Sequence, residues 1–286
     1  MFRQHGLCGL IAACGVGSVM SASAWAGPEL FIRGLTWDGR VVDIDLDTGH
    51  ATQIAAGAGF RANSLTMAPD GSLMFINRDN GQTLSTLSAD GTSIVESRTL
   101  DRSIDVRALA WDGNGDMVAF GPHPTEFGAG VWSIDSATLG VSGPIRVTRG
   151  DTTPYSGFQS AEYAPDGTLY AWSSNSSAQF ADGLVTIDPE TGVGTDVSPA
   201  FNNGAVFQSI AFAPDGRLFA VTANTLSSSG VDSYSLFEID PLLGTFEVIG
   251  AFGEDFDVRG IAVIPAPGGV GVLALALVGV RRRRRG

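Results

Sequence analysis

Short apolar segments broken by Asp-Gly and Asn-Gly pairs recur along this chain, and long helical patterns are absent. The clearest copy runs from Ile210 to Ala220: Ile210-Ala211-Phe212-Ala213, then Pro214-Asp215-Gly216, then Arg217-Leu218-Phe219-Ala220. Leu65 to Phe75 and Ala161 to Ala171 align with it without a gap, Leu109 to Ala119 aligns with Asn114-Gly115 at the turn, and Ile261 to Pro265 is a truncated copy. Each full copy predicts an apolar strand, a tight turn and a second apolar strand, because Gly, and to a lesser degree Asn, tolerates positive φ. A second motif follows, fullest as Ile187-Asp188-Pro189-Glu190-Thr191-Gly192. Ile44 to Gly49, Ile134-Asp135 and Ile239-Asp240-Pro241 match it, and Leu87 to Gly91 matches loosely. It marks a second hairpin turn.

One unit is therefore four antiparallel strands, a to d, with short turns at a–b and c–d. The first turns, at Asp70, Asn114, Asp166 and Asp215, are 44, 52 and 49 residues apart, the size of a propeller blade. The ends are complementary half-units. Glu29-Leu30-Phe31-Ile32 matches a second strand, Arg217 to Ala220, and Gly260 to Ile264 supplies the missing first strand. Five second motifs predict an all-β, five-bladed β-propeller whose ring closes between the N-terminal and C-terminal strands, which removes the exposed sheet edge. An open stack of hairpins leaves the half-units unexplained. The repeat resembles blades of NHL, SMP-30 and TolB-like propellers. That resemblance is confined to the blade unit and carries no function.

This topology puts the b–c and d–a connections on one face, and several are long: 121–130, 173–183 and 223–233, then 149–157, 200–205 and 253–257. Binding tends to reside in such loops. Phe127, Tyr155, Phe180, Phe201 and Phe256 lie among them and suit stacking on sugar rings, unless they pack their own loops. Where strand a begins, alignment places Asn63, Arg107, Gln159, Gln208 and Arg259 at one position of the five blades. These polar residues are expected to ring the channel mouth, where two arginines with amide partners would hold a carboxylate or sulfate. Glu162 is the only charge at its aligned position, and its expected role is to balance Arg107 or Arg259. A structural hydrogen-bond belt around a water-filled channel is the other reading.

Composition narrows the partners. The 30 acidic residues all lie between Gly27 and Ala266, against 11 arginines and no lysine there, so nucleic acid is an unsuitable partner. Asp43, Asp45 and Asp47 alternate along one strand but miss the spacing of a Ca²⁺ loop, which leaves a loose Ca²⁺ site or a solvated edge. His50 and His123 are expected on opposite faces, and no nucleophile, zinc or phosphate motif appears. A binding or structural module for extracellular polysaccharide or surface proteins is favoured over an enzyme. The alternative is a propeller hydrolase or lactonase acting on carbohydrate through paired carboxylates.

The termini address the protein. Residues 1–26 read as a signal peptide: Arg3 and His5, an apolar core from Leu7 to Met20, and Ala24-Trp25-Ala26 as the cleavage site. Cys8 and Cys14 lie within it, so the mature chain has no cysteine. Residues 27–264 form the propeller domain. The segment 265–286 carries Pro265-Ala266-Pro267, an apolar run from Gly268 to Val280, then Arg281, Arg282, Arg283, Arg284 and Arg285. It resembles the PEP-CTERM sorting signal, with Ala266 where Glu is usual. The resemblance implies processing by a membrane transpeptidase, exosortase, after transient anchoring in the inner membrane. The run rises only about 20 Å as a helix against a hydrocarbon core of roughly 30 Å, and the arginines would stay cytoplasmic. An ordinary uncut anchor is the alternative.

Overall fold

A computed structural model describes residues 30–57, 61–79, 82–88, 90–112, 114–173, 183–197, 206–222 and 234–265. Every regular element in it is a strand. β1 (Leu30–Thr36), β2 (Val41–Ile44) and β3 (Ala51–Ala55) begin the first blade. β4 (Thr66–Met67), β5 (Leu73–Asn77), β6 (Thr83–Leu87) and β7 (Ile94–Thr99) form the second. β8 (Ala108–Trp111), β9 (Met117–Pro122), β10 (Ala129–Ile134) and β11 (Val141–Arg146) form the third. β12 (Thr148–Arg149) precedes the fourth blade, made of β13 (Phe158–Tyr163), β14 (Leu169–Ser173), β15 (Gly183–Ile187) and β16 (Val193–Asp196). β17 (Phe207–Phe212), β18 (Leu218–Thr222), β19 (Ser235–Ile239) and β20 (Phe246–Ala251) are the fifth. β21 (Val258–Pro265) returns to β1, pairing Ile32 with Val263 and Leu30 with Pro265, and completes the first blade. The chain is a five-bladed β-propeller, closed as the half-units predict.

The turn chemistry explains the regularity. Asp70, Asp166 and Asp215 accept the N–H groups of Ser72, Thr168 and Arg217 at 2.9, 2.9 and 3.1 Å. The glycines that follow them, Gly71, Gly167 and Gly216, sit at φ of 86°, 89° and 92°, where a side chain would be strained. In the second turns Asp45, Asp135 and Asp188 each accept two backbone N–H groups and the hydroxyl of Thr48, Thr138 or Thr191. These bonds hold Asp45, Asp135 and Asp188 below the usual carboxylate range.

Apolar side chains from neighbouring blades fill the seams between them. Leu35, Leu65, Phe75 and Leu87 join blades one and two, and Ile76, Leu109, Met117 and Trp132 join two and three. Phe120, Phe158, Leu169 and Val185 join three and four, and Trp172, Phe207, Leu218 and Phe237 join four and five. Ile32, Val42, Phe219 and Leu236 close the ring. Burying each large side chain contributes about 2–3 kcal/mol, so a closed ring of seams leaves no blade to stand alone. One feature lies outside the repeat. β12 runs parallel to β16 and adds an edge strand to the fourth blade. Tyr155, in the connection that follows, donates its hydroxyl to Asp196 Oδ1 at 2.9 Å beneath the guanidinium of Arg149, 4.0 Å from the ring centre.

Candidate functional site

The polar positions that open the inner strands are set by backbone geometry. In the pairing of β21 with β1, Arg259 is the extra residue between Val258 and Gly260. Gln159 and Gln208 are likewise skipped in the pairing of β13 with β14 and β17 with β18. Such bulges turn a side chain out of the alternation of the sheet. They therefore aim polar groups at the end of the channel while the strands beyond stay apolar.

The b–c and d–a connections share this end with Trp37, which follows β1 and donates its backbone N–H to Asp257 O at 2.7 Å. Three guanidiniums surround the half-buried indole. Arg61, Arg78 and Arg259 lie 5.5, 5.4 and 5.2 Å from its ring centre, within cation–π range. Arg61 donates from Nε to Asp79 at 2.5 Å. Arg78 reaches Asp105 at 3.4 Å, and Arg107 reaches the same carboxylate at 3.3 Å. Arg259 forms a fork with Asp257 at 2.6 and 2.9 Å and donates from Nη1 to Gln208 Oε1 at 2.7 Å. Asn63 donates from Nδ2 to the carbonyl of Arg107 at 3.4 Å.

Four guanidiniums thus share three carboxylates. Burial, with Arg107, Arg259 and Arg61 nearby, draws Arg78 below the ordinary arginine range, against the pull of Asp105. Arg107 Nε is buried without a hydrogen-bond partner. Crowded, incompletely neutralised guanidiniums in fork geometry suit a carboxylate or sulfate.

Of the five residues expected at the mouth, the structure joins Asn63 to Arg107 and Gln208 to Arg259. Gln159 holds the corresponding place on β13, half-buried, and hydrogen-bonds to none of those four. Glu162 does not balance the arginines. It stands three residues further along β13, about 10 Å by strand rise, and Asp105 and Asp257 supply the charge it was expected to provide. Trp37, Arg61 and Arg78 were not legible as site residues, because they lie in connections outside the aligned repeat. Their only signal is that three of the body's few arginine and tryptophan residues fall on the predicted loop face.

The loop aromatics divide. Tyr155 and Phe256 are fully buried and pack into seams, which corrects their expected part in sugar stacking, whereas Phe127 is 70% exposed. Phe180 and Phe201 lie outside the described residues, as do residues 1–26, where a signal peptide is expected, and Ala266, Pro267 and Arg281 to Arg285. Pro265 ends β21 at the place Pro69, Pro165 and Pro214 take in other blades. Of the three aspartates considered for Ca²⁺, Asp43 pairs with Arg33 at 2.9 Å and Asp45 caps its turn. Among the described residues no group of three metal-ligating side chains gathers, and no helix is long and apolar enough to cross a membrane.

Among the described residues the short-turn face carries a larger and a smaller concavity. An open cleft of about 750 Å³ between blades three and four is lined by Asp112, Tyr163, Thr168, Asp188 and Glu190. Asp112 and Asp188 are turned back onto their own turns, each accepting backbone N–H groups. Its size does not make it the better site, because those acceptors are already engaged. The smaller concavity, about 180 Å³, holds Glu162.

No family model matches the chain, and no curated protein matches it. Solved structures share the fold. A chain of a nidogen–laminin complex superposes with a TM-score of 0.52 at 11% identity, over 82% of this chain and 98% of that one. Chains of Kuenenia stuttgartiensis hydrazine synthase and Acinetobacter baumannii TolB give TM-scores of 0.42 and 0.45 at 18% and 14% identity. They cover 65% and 77% of this chain, which spans only about half their length, 49% and 52%. The class is that of β-propellers, and at these identities the likeness extends to fold alone.

Proposed function

We propose that this protein is an exported propeller that binds an acidic polysaccharide at the cell surface through the arginines around Trp37. The observation that carries the reading is the gathering of Arg61, Arg78, Arg107 and Arg259, four of the body's 11 arginines, in a chain whose body bears 30 acidic residues. A general surface charge would scatter them. Forked guanidiniums bind a uronate carboxylate or a sulfate ester, and the adjoining amides, Asn63 and Gln208, offer hydrogen bonds to sugar hydroxyls.

The fold's polarity agrees with surface display. β21 runs from Val258, beside the cluster, to Pro265 on the opposite face, where Leu30 also lies. The arginine cluster therefore lies at the end of the propeller away from Leu30 and Pro265, which favours display of the cluster. The C-terminal segment is taken as an exosortase-type signal, cut by a membrane transpeptidase after transient inner-membrane anchoring.

The test is titration of full-length protein with oligogalacturonate and with a neutral galactan of equal length. Saturable binding of the acidic chain alone, weakened at least tenfold in R107A/R259A with no matching fall in melting temperature, supports the reading. Equal binding of both glycans, or none of either, rejects it.

A further inference from the structure

Among the described residues no cation stands beside the carboxyl group of Glu162. Aligned through the Pro-Asp-Gly turns, it shares one layer of the inner strands with Thr66, Ala110, Ala211 and Ala262. Three alanines in five places leave room. The resulting pocket of about 180 Å³ is lined by Met67 of β4, Glu162 and Tyr163 of β13, Phe212 of β17, and Ala262 of β21. Because four of the five inner strands contribute, the pocket lies on the propeller axis, at the end opposite the arginine cluster. Apart from Glu162 its lining is nearly all apolar or aromatic, with the prolines of two turns, Pro165 and Pro214, at its rim. In the same layer the hydroxyl of Thr66 is buried and has no hydrogen-bond partner.

We propose that this axial pocket binds the ammonium end of a small aliphatic amine, with Glu162 as the counter-charge. An uncompensated carboxyl in an apolar cavity is costly to keep, and an incoming cation removes that cost. A hard metal ion needs six or more oxygen ligands, far more than this lining offers. An ammonium needs few acceptors, its methylenes match Met67 and the alanines, and the rings of Tyr163 and Phe212 favour a cation over their faces. The adjoining cleft, which shares Tyr163 as a wall, is lined by Asp112, Asp188 and Glu190 and by no arginine, so its field draws cations to this face.

Binding is linked to protons. Burial pushes the Glu162 carboxyl up to about 8, slightly offset by the backbone N–H of Tyr163. The one other titratable group in the lining, Tyr163, is raised to about 12, first by burial and then by Asp112. Tyr163 therefore stays neutral through the physiological range. At pH 7 Glu162 carries its proton, and seating an ammonium releases it to solvent. Affinity should rise about tenfold per unit between pH 6 and 7.5.

The experiment is calorimetric titration of full-length protein with n-butylamine in two buffers of different ionisation heat, with 1-butanol as the neutral isostere. Expected are saturable amine binding, release of most of one proton per amine at pH 7, no binding of butanol, and at least a tenfold weaker affinity in E162Q. Proton release is read on the wild-type protein and holds even if the variant folds poorly. Absence of saturable binding, no buffer dependence, or equal binding of butanol overturns the proposal. Equal amine binding by folded E162Q does so too.

Discussion

Arg78 and Arg107 face each other across a single carboxylate, that of Asp105, at 3.4 and 3.3 Å. Two guanidiniums on one acid leave the mouth of the channel short of negative charge. Replacing Asp105 by Asn removes that acid and keeps its shape. D105N should bind oligogalacturonate about threefold to tenfold more tightly at low salt, the gain shrinking as salt is raised. Titrations at two ionic strengths decide it; unchanged or weaker affinity would place the anion elsewhere.

At Gly260 the first and second blades approach closely. A Cβ there would meet Leu65 N at 2.5 Å and the carbonyl carbon of Ser64 at 2.6 Å, both backbone atoms that cannot rotate away. G260A should cost about 1–3 kcal/mol, the range for overpacking. Gly150, with open space around it, supplies the control. Thermal melting should drop for G260A and not for G150A, and equal melting would mean the seam is looser than its geometry.

Closure predicts more than a local cost. A chain ending at Asp257 loses β21, so β1 gains a free edge and two seams lose their inner wall. Cooperative melting should vanish, read by near-ultraviolet circular dichroism. A shortened chain that melts like the intact one would show that the ring does not depend on its last strand.

Glu162 makes stability depend on pH in the unusual direction. Its folded value, about 8, lies above the ordinary 4.5, so between those limits the folded state holds a proton that the unfolded chain has lost. Stability is therefore complete below about pH 4.5 and declines as pH rises toward 8. E162Q has no such proton. The variant and wild type should melt alike near pH 5, and E162Q should be higher by about 3 °C or more at pH 8.5, each kcal/mol being worth about 2–4 °C in a domain this size. A gap that is the same at both pH values would refute a half-buried, unpaired carboxyl.

Tyr155 ties the added edge strand to the fourth blade through Asp196. Y155F keeps the ring against Phe158, 5.3 Å between centres, and loses the hydroxyl. The expected cost is about 1–2 kcal/mol, for a hydrogen bond to a charged acceptor. Chemical denaturation should show it as a lower midpoint with the same slope; an unchanged midpoint would mean that Arg149 alone satisfies Asp196.

The sequence by itself determined the blade, the number of blades, the closure of the ring and the face that carries the connections. These follow from turn chemistry and strand alternation, both local: Asp215-Gly216 folds its hairpin from its own side chain and its own positive φ. It also placed Asn63, Arg107, Gln208 and Arg259 at one end, since equivalent positions in a closed repeat converge. The tertiary structure decided what meets there. Trp37, Arg61 and Arg78 belong to connections with no repeat register, and only the juxtaposition of two blades brings their rings and charges together. The same holds for the inward turn of Tyr155 and Phe256, taken by seams that neither residue's neighbours in sequence could announce. Glu162 shows the limit most plainly: its strand was legible, but Ala211 and Ala262, which line its pocket, come from two other blades.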